Sequence, residues 1–370
     1  MTSPFKELEK KHLDLYVPAY LIKVNDTDVL REQFMEIASV QVDNTLKGPD
    51  RFSFTVNSTF DLKTRQFAHL SDTFAFGNSA EIRMGYVDGG EELPLMLRGI
   101  VTSVATSFPA SGLPQITVSG YDLSYCMGKG KDSFNWSDKK DSEIVAEVAD
   151  KYGLKAKAED TKVKHPTTQK STESDEQFVT KLAERNGYEH YTLDRTLHFK
   201  PPESIRKTSK DGIPVVRLEW GRGLLSFSPE ISISEQTSGV EVRGWDVANK
   251  KEIVGKAGQG QEPRRDGARR SGAEVLKKCC REAKPLKIRV PVFSKQEADR
   301  WAEAILKKRS EMLVQGSGES IGLPEIRADQ NIELLGLGTE LSKIYYVEQT
   351  THTINTSGYR TTFKVKDTTV

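Results

Sequence analysis

The sequence predicts a mainly β protein with α+β insertions, organised as two similar antiparallel β-domains around a small α+β module. Three observations predict it. Strand-like segments, alternating or β-branched and bounded by Gly, Pro, Asn or Asp, fill residues 16–127 and resume after Pro214. Between them, from Ser133, the apolar period changes to that of a helix. Finally, VTSVATSFPASG (Val101–Gly112) and VEQTTHTINTSG (Val347–Gly358) have equal length and the same Ser-Gly turn before another alternating strand, the mark of a repeated unit.

Each element has a local reason. AYLIKV, EIASVQVD, RFSFTV, AEIRMGYV, LRGIVTSVATSF and PQITVSGYD read as successive strands of a barrel or sandwich. They are interrupted by STFDLKTRQFAHL, where Phe60, Thr64 and Phe67 fit one face of a short helix. In DSEIVAEVADKYGLKAKAE, Ile144, Val145, Val148, Ala149 and Tyr152 recur at helical spacing, and Gly153 supplies a left-handed stop. SDEQFVTKLAERNGYEHYTLDRTLHF repeats the plan: Ser174 caps, Gln177 completes a capping box, Gly187 ends the helix, and a hairpin turns at Asp194-Arg195. That hairpin, centred on Asp194 to Thr196, is expected to place His190 and His198 on one face. After Pro214 come PVVRLEW, LLSFSPEISIS, GVEVRGWDVANKKEIVGKA and LKIRVPVF, with a Gly/Arg-rich loop and a short helix before the last. SKQEADRWAEAILKKRSEM is the clearest helix, with a Ser294/Glu297 capping box. Strands close the chain, and KIYYVEQ puts Tyr345 and Tyr346 on opposite faces, one in the core and one at a surface or interface. The expected domains are 1–130, a first β-barrel domain; 131–203, the α+β module; and 204–370, a second β-barrel domain carrying the loop 256–272 and the helix 294–312.

Composition narrows the function. A chain of 370 residues exceeds the size at which one core keeps growing. Lys plus Arg at 54 against Asp plus Glu at 53 leaves a net charge of +1, the wrong balance for a phosphate-backbone binder. No apolar run approaches the roughly 18 residues of a membrane helix. The N-terminal stretch has no apolar signal-peptide region, so cytoplasmic synthesis is expected. Cys126, Cys279 and Cys280 have neither disulfide nor metal spacing and are read as reduced. P-loop, nucleophile-elbow, H-E-x-x-H and C-x-x-C signatures are absent. No catalytic residue, metal site or cofactor is expected. Arg264, Arg265, Arg269 and Arg270 form the one dense basic cluster, a candidate interface loop.

Three stretches together resemble the phage late-control protein D family of tail and baseplate hubs, relatives of the N-terminal part of type VI secretion spike proteins. They are the helix and hairpin Ser174–Phe199 with its Asn186-Gly187-Tyr188 stop, VEVRGWDVANKKEIVGKA with Gly244-Trp245-Asp246, and IRADQNIELLGLGTELSKIYYVEQTTHTINTSGYRTTFKV with Ser357-Gly358-Tyr359. The resemblance implies two similar β-barrels and assembly as a homotrimeric, pseudo-sixfold ring that adapts a sixfold tail tube to a threefold spike around a central channel. It implies a structural, non-enzymatic role in the baseplate of a contractile phage tail, tailocin or injection particle. The partners would be a tube or tube-initiator protein, wedge proteins and, since the chain ends at Val370 after the second barrel's strands, a separate spike. DNA, a tape-measure protein or an effector would pass the lumen without specific binding or membrane insertion. A tail-associated cell-wall hydrolase and a β-rich adhesin or carbohydrate-binding module are the competing readings. The first needs an acid or metal constellation, the second exposed aromatic platforms.

Overall fold

The computed structural model describes residues 4–12, 15–57, 60–67, 72–87, 92–203, 215–246, 249–263 and 269–370. A short helix α1 (Pro4–Lys11) precedes the strands β1 (Pro18–Val24), β2 (Thr27–Asp28), β3 (Glu36–Thr45) and β4 (Arg51–Asn57). Next come β5 (Phe60–Asp61), β6 (Gln66–Phe67), β7 (Ser79–Tyr86), β8 (Leu95–Ser107) and β9 (Gln115–Asp122). The pair β5/β6 stands where the sequence predicts a short helix. Phe60 and Phe67 meet edge to face across it at 4.9 Å, and Phe108 touches both rings. This cross-strand aromatic pairing offers the apolar residues the contact a helical face would have given.

The module comprises β10 (Asp132–Lys140), α2 (Asp141–Lys151), β11 (Lys155–Ala158), β12 (Lys164–Glu173), α3 (Asp175–Asn186), β13 (Glu189–Leu193) and β14 (Thr196–Lys200). Its local signals are realised as read: Ser174 and Gln177 exchange the two bonds of a capping box, and Gly153 and Gly187 take the left-handed conformation. Ile144, Val145, Val148, Phe178, Val179 and Leu182 from the two helices bury against Leu197 and Phe199 of β14. The hairpin corrects the histidine expectation. Its two-residue turn pairs His190 with Phe199 and Tyr191 with His198, so the histidines lie on opposite faces. His190 Nε2 meets Thr180 Oγ1 at 2.9 Å, and His198 stacks on Tyr191.

The remaining elements are β15 (Val216–Trp220), β16 (Gly223–Ile231), β17 (Gly239–Asp246), β18 (Lys251–Gly258), α4 (Gly272–Cys279), β19 (Leu286–Arg289) and α5 (Lys295–Ser310). They continue as β20 (Val314–Ile321), β21 (Asn331–Leu335), α6 (Gly338–Leu341), β22 (Lys343–Asn355) and β23 (Gly358–Asp367). Six of these strands close a barrel in the order β22-β21-β15-β16-β20-β23, sealed by β22–β23 pairing. The N-terminal strands run β2-β1-β7-β8-β9-β4-β3 and continue from β3 onto β22 as one sheet, without a closing pair among the described residues. Apart from the short β2, the strand order of this open sheet matches that of the barrel: β1-β7-β8-β9-β4-β3 corresponds to β15-β21-β22-β23-β20-β16. One strand departs, since β1 meets β7 antiparallel whereas β15 meets β21 parallel.

Strands that the sequence groups with the second barrel pair instead with one another, as the sheet β18-β17-β19. Helix α5 covers that sheet, and Val240, Val242, Ile253, Ala298, Ala302 and Leu306 form a separate core. Ser294 caps α5, but the carboxylate of Glu297 returns to the N–H of Phe293 rather than to that of Ser294. Gly255 sets the spacing: a Cβ there would lie 2.1 Å from the backbone carbon of Ala298. Gly255→Ala is therefore expected to destabilise by about 1–3 kcal/mol through overpacking, read as a lower urea midpoint. Gly258→Ala, whose Cβ meets open space, should leave the midpoint nearly unchanged.

Candidate assembly interface

The two halves are joined by strand β22. Its start pairs with β21, and from Gln349 to Ile354 it pairs with Thr45 to Val40 of β3, while β23 holds its other edge. Thr351 donates to Asp43 across the seam at 2.6 Å. Ile354 and Tyr359, at the tip of the β22–β23 hairpin, insert into the core of the open sheet, where Tyr359 packs on Tyr86. Gly322 makes room for that ring, since a Cβ there would sit 1.9 Å from Tyr359 Cγ.

His352 is fully buried in this seam. Its Nε2 faces the carbonyl of Ile326 at 2.9 Å and therefore carries the proton, leaving Nδ1 to accept from the hydroxyl of Tyr359 at 3.0 Å. Burial, reinforced by the Arg327 guanidinium, pushes the imidazole down to about 3. Arg327 itself donates to the carbonyls of Leu95 and Met96 in the other half. Helix α1 is tied to the same region: burial alone would raise the Glu325 carboxyl, but hydrogen bonds from His12 and Lys11 bring it down to about 2.

The module docks by two routes. Lys200, at the end of β14, lies 3.0 Å from both Glu203 and Asp329, all buried, and the Tyr346 hydroxyl donates to Asp329 at 2.8 Å. Both expected tyrosine positions are thus interior: Tyr345 joins the barrel core and Tyr346 the docking network, so neither reaches a surface. On the other side Lys307 of α5 donates to the carbonyl of Gly187 at 2.9 Å, and the exposed Lys308 pairs with Glu184. Between these contacts lies a cleft of about 640 Å³ flanked by Glu189, Lys307, Glu311 and Lys366. Burial pushes the Glu189 carboxyl up to about 7, and Lys366 pairs with Glu311 at 2.8 Å. Opposite charges in this cleft mostly neutralise each other, which suits a structural joint.

The residues singled out in the sequence are dispersed. Asn186 donates to Asp141 at 2.6 Å, Gly187 packs on Ala304 of α5, and Tyr188 donates to the carbonyl of Asp160 at 3.1 Å. Gly244 gives space to Val292, Asp246 accepts from the Asn249 backbone, and Trp245 is 58% exposed between them. Ser357 and Gly358 form the hairpin turn that carries Tyr359 into the seam. Arg264 and Arg265 lie outside the described residues. Arg269 donates to the carbonyls of Thr339, Glu340 and Ser342, and the backbone of Arg270 pairs with that of Val370. Sequence reasoning missed Arg327 and Asp329 as organising groups; their one signal was their place in the resembling stretch IRADQNIELL.

Among the described residues no group of three or more His, Cys, Asp or Glu is placed to hold a metal, and no helix is long and apolar enough to cross a membrane. The family model described as the Alg8 N-terminal domain matches residues 17–356. No curated protein matches the chain. Among solved structures, the prophage MuSo2 43 kDa tail protein from Shewanella oneidensis aligns at TM-score 0.69 and 13% identity, covering 95% of this chain and 100% of that one. A tail protein from Neisseria meningitidis MC58 gives 0.65 and 13%, with 95% and 97% covered. An E. coli protein, c3393, described as a type VI secretion component similar to T4 bacteriophage tail proteins gp27 and gp5, gives 0.57 and 11%, with 93% and 76% covered. The fold is that of phage tail proteins and a type VI secretion component, as the resemblance implies.

Two outcomes follow from the buried contacts. Because folded His352 stays neutral while the unfolded imidazole binds a proton below about 6.5, its contribution is complete above that pH and falls by about 1.4 kcal/mol per pH unit toward pH 3. His352→Gln should flatten that part of a denaturation-midpoint profile. Removing one partner of a buried ion pair costs about 3–5 kcal/mol, so Lys200→Met should lower the thermal midpoint sharply. Lys308→Ala breaks an exposed pair and should cost less than about 1 kcal/mol.

Proposed function

The chain belongs to the Alg8 N-terminal domain family, and from its fold we propose that it is a structural hub of a contractile tail or tail-like injection particle. The observation that carries this reading is end-to-end likeness: 95% of the chain aligns with the whole of a prophage tail protein. The matching strand order of the open sheet and the barrel supports a second step, that both descend from one barrel unit and that three copies present six similar units around an axis. Such a ring adapts a sixfold tube to a threefold spike, which one closed symmetric assembly must do to meet both.

In this reading the module and the α5-covered sheet brace the ring from outside, and the exposed Trp245 and the loop bearing Arg264, Arg265, Arg269 and Arg270 meet neighbouring baseplate proteins. The tube or tube initiator, a spike and wedge proteins are the partners. A net charge of +1 suits a passage that must let DNA, a tape-measure protein or an effector slide without sticking. Assembly in the cytoplasm and residence in a virion tail or extracellular particle complete the proposal. Native mass spectrometry and electron microscopy without imposed symmetry, on the chain alone and with its candidate spike protein, test it. Three-copy rings with six lobes and an open centre are expected; a monomer that persists in the presence of the spike would refute it.

A further inference from the structure

The contact that joins the two halves of one chain is prepared a second time on two other strands, β8 and β16, where it is unfilled among the described residues. Strands β8 and β22 are both 13 residues long. Each bulges at the same place against the next strand, between Val101 and Ser103 in β8 and between Val347 and Gln349 in β22. The backbone around the bulge repeats as well. Gly77 N–H donates to the Val101 carbonyl and Val101 N–H to that of Asn78, just as Asp329 donates to Val347 and Val347 to Gln330. Beyond this point β22 adds β3 to its free edge. The corresponding part of β8, Ser103–Ser107, has no strand on that edge among the described residues, and Ser103, Ala105, Thr106 and Ser107 are exposed.

The strand corresponding to β3 is β16. Both bulge near their starts, between Ile37 and Ser39 against β4 and between Leu224 and Ser226 against β20. Where β3 receives β22, β16 has an unfilled edge: its only partner on that side, β15, pairs with Gly223 and Leu224 alone among the described residues, and Ile231 is 49% exposed. The hairpin tips agree too. Ile354 is buried in the neighbouring sheet, whereas Phe108, in the corresponding place beyond β8, is 62% exposed with Leu113 beside it on the same tip.

We propose that β8 of one copy pairs antiparallel with β16 of a second copy, reproducing between chains the β22–β3 seam within each chain. The partner is a second copy because both halves of the contact lie on this chain at different places, which makes the joint heterologous and able to propagate around a ring. Carrying over the β22–β3 register through the aligned bulges places Ser103 opposite Ser232, Ala105 opposite Glu230 and Ser107 opposite Ser228. Pro229 brings no N–H to this ladder, so one carbonyl of β8 goes without a donor. A proline on an edge strand also blunts pairing in other registers. The pairing rests on the hub reading for its closure into a ring, but not for its existence.

Disulfide trapping tests it, in a chain with Cys126, Cys279 and Cys280 replaced by serine. Asp43→Cys/Thr351→Cys should give a bond within the chain and serves as the positive control for the seam geometry. Ala105→Cys/Glu230→Cys should link copies to one another on mild oxidation, whereas Ala105→Cys/Ser228→Cys, out of register by two residues, should link them at least tenfold less. Native mass spectra of the same samples separate the two ideas. Assemblies that form without the 105–230 link overturn the pairing and leave the hub reading standing. A 105–230 link in open chains, with no three-copy species, keeps the pairing and removes the ring. Monomers at every concentration, unlinked, overturn the pairing.

Discussion

The chain hangs together through one long strand with two edges to satisfy. Strand β22 first completes the C-terminal barrel and then, past a bulge at Val347–Gln349, extends the open N-terminal sheet. Backbone N–H and C=O groups buried without partners are costly, so where β22 runs on past β21 its buried edge needs another strand. The bulge lets it change neighbours without losing its pairing to β23. From that constraint follow the insertion of Ile354 and Tyr359 into the other half, the space left at Gly322 and the burial of His352.

Polar groups fix the geometry that apolar burial alone would leave loose. Arg327 reaches carbonyls of β8, Glu325 holds the N-terminal helix, and Lys200 with Asp329 and Tyr346 pins the module against the barrel. Glu325, Arg327 and Asp329 come from the segment between β20 and β22, and Tyr346 from β22 itself. A short stretch of chain thus orients the helix, the module and both β units. The outward salt bridges, such as Lys308–Glu184, are screened and contribute little beside these buried contacts.

The module and the α5-covered sheet have their own cores and touch through α5, where Gly187 meets Ala304. They build a second layer outside the barrel and the open sheet and, among the described residues, leave part of one edge of β8 and of β16 without a strand. The pairing of copies proposed above uses such edges. Its protection against indiscriminate pairing lies in a proline, a bulge on each strand and a short exposed length.

The sequence by itself determined what is local. The capping box at Ser174, the stops at Gly153 and Gly187, the turn at Asp194 and the alternation of the strands are set by residues within a few positions of one another, and all were legible. The likeness of Val101–Gly112 to Val347–Gly358 was legible as well, because equal strand length and equal turns survive where identity does not. Only the tertiary structure decided which strands pair. It closed one six-stranded ring and, among the described residues, left the other sheet open, moved β17 to β19 out of the barrel and put both Tyr345 and Tyr346 inside. Those outcomes depend on contacts between residues hundreds of positions apart, such as Arg327 with Met96 and His352 opposite Val42, and no period or motif along the chain records them.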